Sequence, residues 1–398
     1  MVAKPADELT SDWDPHGAAE RADYPAVLAR LRAQAPVAWC GRWGGFYTLT
    51  RYEDVVAASR DPATFTATKM TVIPSSPRKG LPRLPLQKDP PESDRYRKAL
   101  NASFKANRIS AFRAPLQAMA AKLMDRLMQS PHSADFARGF AEPFTQGALG
   151  ILLGLDPDEA LEVGRLSHAY VEKVQSEDLS GAGELSRLVD GFAVRLVDDR
   201  LARPRDPQVD IVSSLMAQEG AEFTPEELAG MVRLMLIGGH VVPRNFLCSV
   251  AWHLASHPDD AARLRTDPAF ETGFIDECLR VYPANQALVR VATRDTEIGG
   301  TFIPEGTPVA LNFLSANFDE AVFDNPDQFD PSRRPNRHIA FGIGPHMCLG
   351  LALAKLETQV TIEALLSAPA LAVAGTPQWA CWTEYGVTAL TLNLQAKG

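Results

Sequence analysis

The sequence predicts a mainly α fold with small β-sheets, organised as one domain over residues 1–398. Three observations predict it. Apolar residues recur at three- and four-residue spacing through most of the chain, alternating patterns are short and lie towards its two ends, and no repeat, low-complexity tract or long flexible linker divides it. The chain has 398 residues, 45% apolar and 22% charged, a mixture that buries a large core and excludes intrinsic disorder. Lys and Arg number 40 against 49 Asp and Glu, giving a formal charge of −9, which argues against a nucleic-acid binder.

At the N-terminus, Met1 to Asp7 holds no apolar run that could serve as a secretory core or membrane anchor, so a cytoplasmic protein is expected. Phe46 to Thr50, after Gly44 and Gly45, is β-branched and aromatic and reads as a strand, handing over to a helix at Glu53 to Ser59. Thr66 to Lys88 holds four prolines, one glycine and only positive charges, so it reads as an irregular loop and a candidate lid. Helices follow at Pro115–Leu127, Ala160–Val174, Glu184–Arg200, Pro225–Leu254 and Gly273–Val281. A strand is expected at Thr307–Leu311 and another helix at Leu349–Leu366. The uncharged stretch Ala364–Thr383 carries Pro369, Gly375 and Pro377, so it reads as loop and strand and not as a membrane span. Leu390, Leu392 and Leu394 alternate with Thr391 and Asn393 and close the chain as a strand.

The five cysteines, Cys40, Cys248, Cys278, Cys348 and Cys381, are scattered without a CxxC pair, which disfavours a disulfide framework and a structural zinc module. Cys348 stands apart. It lies in His338-Ile-Ala-Phe341-Gly342-Ile-Gly344-Pro-His346-Met-Cys348-Leu-Gly350, where glycines and a proline turn the chain tightly just before a helix. A thiolate at a helix N-terminus is stabilised by the dipole and by free backbone N–H groups, as a metal ligand requires. A buried, inert thiol is the competing reading, and a zinc site from His338, His346 and Cys348 lacks a fourth ligand.

Phe341-Gly-x-Gly-x-His346-x-Cys348-Leu-Gly350 resembles the haem-binding signature of the cytochrome P450 superfamily, with Leu353-Ala-Lys355-Leu-Glu357 as the usual continuation of its helix. The resemblance implies a triangular prism around one buried haem b. It makes Cys348 the axial thiolate of the iron, with Phe341 and Gly342 beside the sulfur and His346 at a propionate; P450s are the standing example of haem held by cysteine. Glu277-x-x-Arg280, with Arg333 as companion, resembles the family's core lock. By the same resemblance Arg290 matches the family's propionate arginine, a role that a guanidinium fork suits. Asp89-Pro-Pro-Glu92-Ser93-x-x-x-Arg97 is similar to another family helix start. Arg97 is then a second propionate ligand, and Ser93 stands where a histidine is usual.

Leu234 to Leu247 resembles the long helix of camphor-type bacterial P450s, but the family's acid and threonine are replaced by Val241 and Val242. That pair relays protons to the oxygen under activation, and neither valine can do so. Pro243 removes an N–H and frees the carbonyl of Gly239, which could hold ordered water in place of the pair. His240 and Arg244 are expected to point away from the face carrying Val242.

By the same resemblance the substrate pocket is lined by the Thr66–Lys88 loop and by Ile237, Asn285, Gln286, Leu288, Val289 and Tyr385. These imply a small, partly polar organic molecule. The implied activity is monooxygenation by a monomer, with no membrane attachment, fed by a ferredoxin and its NAD(P)H-dependent reductase. Arg95, Lys98, Lys105, Arg108 and Lys355 form a candidate positive patch for the acidic partner. A peroxide-driven or rearranging haem-thiolate enzyme, and a non-catalytic haem sensor, are the alternatives.

Overall fold

Capping chemistry starts several of the helices. Asp156 and Thr224 each form a capping box, with Glu159 and Glu227 respectively, and each is followed by a proline whose missing N–H costs nothing in a first turn. The computed structural model describes residues 13–16, 24–75, 80–218, 220, 222–380 and 382–395. The N-terminal segment Met1–Asp7, the loop cations Arg78 and Lys79, and Cys381 lie outside them. The longer helices are α1 (Tyr24–Gln34), α2 (Tyr52–Arg60), α3 (Asp94–Ser103), α4 (Arg113–Leu127), α5 (Glu142–Leu153), α6 (Pro157–Gln175), α7 (Leu179–Ala202), α8 (Pro225–Gly238), α9 (Val241–Ser256), α10 (Phe270–Val281) and α11 (Leu351–Leu366).

The largest sheet comprises β1 (Val37–Cys40), β2 (Phe46–Leu49), β3 (Phe65–Thr66), β4 (Ala287–Ala292) and β5 (Pro308–Asn312), in the order β1-β2-β5-β4-β3. β2 and β5 are parallel, with Tyr47 opposite Val309, and the other pairings are antiparallel. Smaller sheets join Gln378–Ala380 to Gly386–Ala389, and Thr391–Asn393 to both Ala134–Asp135 and Ala372–Val373. The expected mainly α fold with small sheets is what the chain adopts, and Thr66–Lys88 is free of helix over its described residues.

Two expectations change in detail. The predicted helix Pro225–Leu254 is two helices, because the chain breaks at Gly239 and at His240 (φ −124°, ψ −64°). Pro243 therefore does not kink a continuous helix. It is the third residue of α9, where the N–H would lack an intrahelical acceptor anyway. The uncharged stretch after Ala364 begins as the end of α11 before becoming loop and strand. An 18-residue window within Pro225–Ser256 reaches a mean hydropathy of 1.3, enough for a membrane span, but most of that window is buried inside the protein. Its apolar side chains are in the main core, among them Leu228, Met231, Val232, Leu236, Phe246, Leu247 and Leu254.

These layers position the cysteine loop. α11 packs on α4, α9 and α10, so the loop that leads into it is held at the edge of the main core. Gly344 (φ +78°) must be glycine on two counts: the left-handed backbone, and the Ser59 carbonyl 2.8 Å from where a Cβ would stand.

Candidate cofactor and substrate site

The turn before α11 presents the Cys348 sulfur. The Cys348 N–H donates to the Phe341 carbonyl at 2.8 Å, closing the loop, and the Gly350 N–H donates to the sulfur at 3.3 Å from the cap of α11. Cys348 is exposed, whereas Cys40, Cys248 and Cys278 are buried. Burial of its surroundings raises the thiol above its ordinary pKa, and the Gly350 N–H and the Arg97 charge work against that rise. The helix-terminus stabilisation expected from the sequence is therefore present but is outweighed by desolvation; a cation bound to the sulfur would reverse the balance. Phe341 packs, half-buried, against the main core.

Groups with incomplete hydrogen bonding lie on this loop and on the elements beside it. Arg97 lies on α3, and its Nη2 donates to the Met347 carbonyl at 2.7 Å. Ser93, at the head of α3, is buried and its Oγ has no partner. The His346 Nε2 meets Asp89 at 3.0 Å while its buried Nδ1 has none. Arg290 on β4 is 3% exposed, bonds the Val289 carbonyl at 2.9 Å, and makes no ion pair among the described residues. Its pKa is lowered to about 10 by burial, an effect that the Asp89 charge partly opposes. A soft sulfur donor flanked by two arginines, a histidine and an orphaned hydroxyl suits an iron porphyrin carrying carboxylates. The residues therefore fit haem. Zinc is not favoured: His338 and His346 turn to Asp276 and Asp89, and no cluster of three metal-ligating side chains occurs among the described residues.

Behind the loop, Glu277 and Arg280 on α10 form a two-bond pair at 2.7 and 2.9 Å, and both are fully buried. Arg333 approaches Glu277 at 3.5 Å, and the Asp330 N–H and Asn336 amide also donate to Glu277. Arg280 reaches on to the carbonyls of Asn317 and Gln328. The three residues come together as the resemblance implied, and the Ile339 N–H, just before the cysteine loop, donates to Asn317 at 2.8 Å.

On the central helices, His240 is buried, with its pKa lowered to about 3 by burial and by the nearby His168 and Arg244 charges. Its Nδ1 meets Thr145 at 3.0 Å. Arg244 donates to Asn245 and to the Thr388 carbonyl. His240 is thus turned towards α5 and Arg244 towards the strand Gly386–Ala389. Gly239 is pressed against Leu149, 3.2 Å from where a Cβ would stand, and Pro243 has no N–H to give its carbonyl.

The pocket assignments need two corrections. Gln286 is fully buried, and its amide is engaged by Tyr24 and by the Trp382 N–H, so it is not free to orient a ligand. Val289 packs into the cluster of Trp13, Tyr24, Phe46 and Trp382, because successive strand residues face opposite sides and Arg290 takes the other one. Leu288 shares the Arg290 side. Ile237 is half-buried against the main core, Asn285 bridges to Glu384, and Tyr385 stacks on Tyr24 with centroids 6.4 Å apart.

The positive patch is smaller than the sequence implied. Arg95 pairs with Glu227, Lys355 with Asp276 at 2.7 Å, and Arg108 bonds Ser214 and the Pro207 carbonyl. Lys98 and Lys105 make no ion pair among the described residues. With Arg97, Asn101, Gly344 and Pro345 they line an open hollow of about 610 Å³ on the cysteine side. Sequence reasoning also missed Glu384 and Glu357, buried carboxyls whose pKa values are raised to about 7 and about 8, in both cases chiefly by burial. Only Glu357 lay in a quoted motif, and nothing in the pattern announced its burial.

Known proteins resemble this chain over most of its length. The cytochrome P450 family profile matches residues 270–378. The chain is 34% identical over 351 residues to cytochrome P450-SU2 of Streptomyces griseolus, covering 86% of this chain and 85% of that one. It is 31% identical to nocardicin C N-oxygenase of Nocardia uniformis subsp. tsuyamanensis, covering 95% and 94%. Among solved structures, CYP108D1 from Novosphingobium aromaticivorans superposes with a TM-score of 0.84 at 26% identity, covering 96% of this chain and 97% of the other.

Proposed function

The chain belongs to the cytochrome P450 superfamily and is a haem b monooxygenase, and from that premise we propose that it hydroxylates or O-demethylates a small, mostly apolar organic molecule in the cytoplasm, with electrons from a ferredoxin and its NAD(P)H-dependent reductase. The cofactor supplies a thiolate-bound iron that activates oxygen. The observation that carries the reading is the exposed Cys348 sulfur at the start of α11, with Arg97 bonded to the Met347 carbonyl beside it, His346 on the same loop, and a buried Arg290 and an unpartnered Ser93 hydroxyl on neighbouring elements. Cys348 would be the metal ligand, and the four polar side chains would hold the cofactor's carboxylates. The Glu277–Arg280–Arg333 lock keeps the loop in register through Asn317.

Protons must reach the oxygen without the usual acid and alcohol. Val241 is buried and Val242 half-buried, and neither can donate or accept. The Gly239 carbonyl, at the break between α8 and α9, is the acceptor that holds an ordered water, or a polar group of the substrate, beside that face. His240 takes no part, because it is held neutral against Thr145.

Lys98 and Lys105 beside the cysteine loop suit an acidic electron donor. Reconstitution with a ferredoxin chain, run beside a reaction fed by peroxide alone, tests the electron source. Turnover that needs the ferredoxin chain supports the reading. Product forming faster on peroxide alone selects the peroxygenase, and absence of turnover with every molecule that shifts the iron spin state selects a sensor.

A further inference from the structure

A second buried cationic cluster lies where the Thr66–Lys88 loop meets α7 and α8. Arg233 on α8 is 3% exposed; its Nε donates to Asp190 on α7 and its Nη2 to Ser186 Oγ at 2.7 Å, while its Nη1 is buried with no partner. Beside it lies Arg83 of the loop, whose Nη2 donates to the Tyr170 hydroxyl at 3.3 Å and which makes no ion pair among the described residues. Burial lowers the Arg83 pKa most, and the Arg233 charge lowers it further, while Tyr170 and Asp190 act the other way. Asp190 is shared a third time, accepting from the Leu81 N–H at 3.2 Å. Two guanidinium groups thus face one carboxylate, leaving a net positive charge in a crowded place.

A purely structural latch explains the Arg233–Asp190–Ser186 contacts but neither the orphaned Nη1 nor the second arginine, since each adds a cost that burial magnifies. The position is informative. Ile237 lies one turn beyond Arg233 on the same face of α8. One turn before it, the Gly230 carbonyl accepts from the Leu84 N–H at 3.4 Å, seating the loop on the helix. Arg233 and Arg83 therefore stand where the loop is seated on α8, one turn from Ile237, which the pocket assignment puts beside the substrate.

We propose that Arg233 Nη1 and Arg83 anchor a carboxylate of the substrate, so that the enzyme takes an organic acid and oxidises it at a carbon remote from the acid group. A carboxylate accepts from two forks at once, satisfies the orphaned donor and neutralises the excess charge. The inference rests on the pocket assignment made above, and it adds the chemical class of the substrate.

The test uses the haem-loaded protein and three acids, decanoic, 4-phenylbutanoic and adamantane-1-carboxylic, each beside its methyl ester. Binding is read by calorimetry and by the substrate-induced spectral shift. At least one acid should bind roughly 10-fold tighter than its ester, a charge-assisted anchor's share of affinity. R83Q should abolish that preference. R83K, which keeps the charge and loses the fork, should reduce it. Esters binding as tightly as acids in all three pairs, or an undiminished preference in both variants, would overturn the proposal. Calorimetry reads the preference whether or not the iron is thiolate-bound, so failure here is distinct from failure of the P450 reading.

Discussion

Removing the Glu277 side chain is the most severe single change the structure allows behind the cysteine loop. Glu277 and Arg280 are wholly buried, and Glu277 also accepts from the Asp330 N–H and the Asn336 amide. Breaking a buried pair from one side costs about 3–5 kcal/mol, and each orphaned buried donor about 1–3 kcal/mol. Glu277→Ala should then cost about 5–11 kcal/mol, a range that overlaps the about 5–15 kcal/mol total stability of a typical protein. It should yield no soluble, haem-loaded protein. Glu277→Gln keeps shape and some acceptors, and should fold with a loss of about 3–5 kcal/mol. The assay is the urea midpoint followed by tryptophan fluorescence, with soluble yield and haem content alongside. Glu92→Gln is the control: its pair with Lys88 is exposed, so its effect should stay within about 1 kcal/mol. Glu277→Gln shifting stability by no more than that control would refute the lock.

Three further outcomes are expected. Glu384 and Glu357 carry raised pKa values, so between about pH 4.5 and 8 the folded chain holds protons that the unfolded chain releases. Their contribution is complete below the ordinary carboxyl range and is lost as the pH rises through about 7 and about 8. Urea midpoints measured across that window should fall, and E384Q and E357Q should each flatten the slope; an unchanged slope in both variants counts against the burial argument. P243A adds a free N–H at the head of α9, where it competes for the water held at the Gly239 break, and should lower the fraction of oxygen consumption coupled to product by roughly 10-fold, less than the roughly 100-fold or more that a complete proton relay contributes; unchanged coupling removes Gly239 from the relay. K98E with K105E should slow reduction by ferredoxin by about 10-fold at low salt and little at high salt, since steering is screened; a slowdown that ignores salt would place the docking surface elsewhere.

Local signals carried much of this fold. The helices announced themselves by period and by start residues such as Thr224-Pro225, and the cysteine loop by glycines that the turn geometrically requires. The break at Gly239–His240 was invisible because an apolar pattern continues through it, while Pro243 drew attention three residues too late. Side-chain direction was the other limit. Gln286 read as a free loop amide until tertiary contact showed Tyr24 and Trp382 engaging it. Arg95, Arg108 and Lys355 read as patch cations until partners more than 70 residues away engaged them. The Arg83–Arg233–Asp190 cluster joins three segments with no common motif, so only the folded chain could assemble it.

The direct test is the carbon monoxide difference spectrum of the reduced protein, recorded for the native chain and for Cys348→Ala. The native protein should show the long-wavelength Soret band of thiolate-ligated haem, and the variant should lose it. A native spectrum without that band, or a variant that keeps it, would contradict the assignment of the sulfur as iron's ligand.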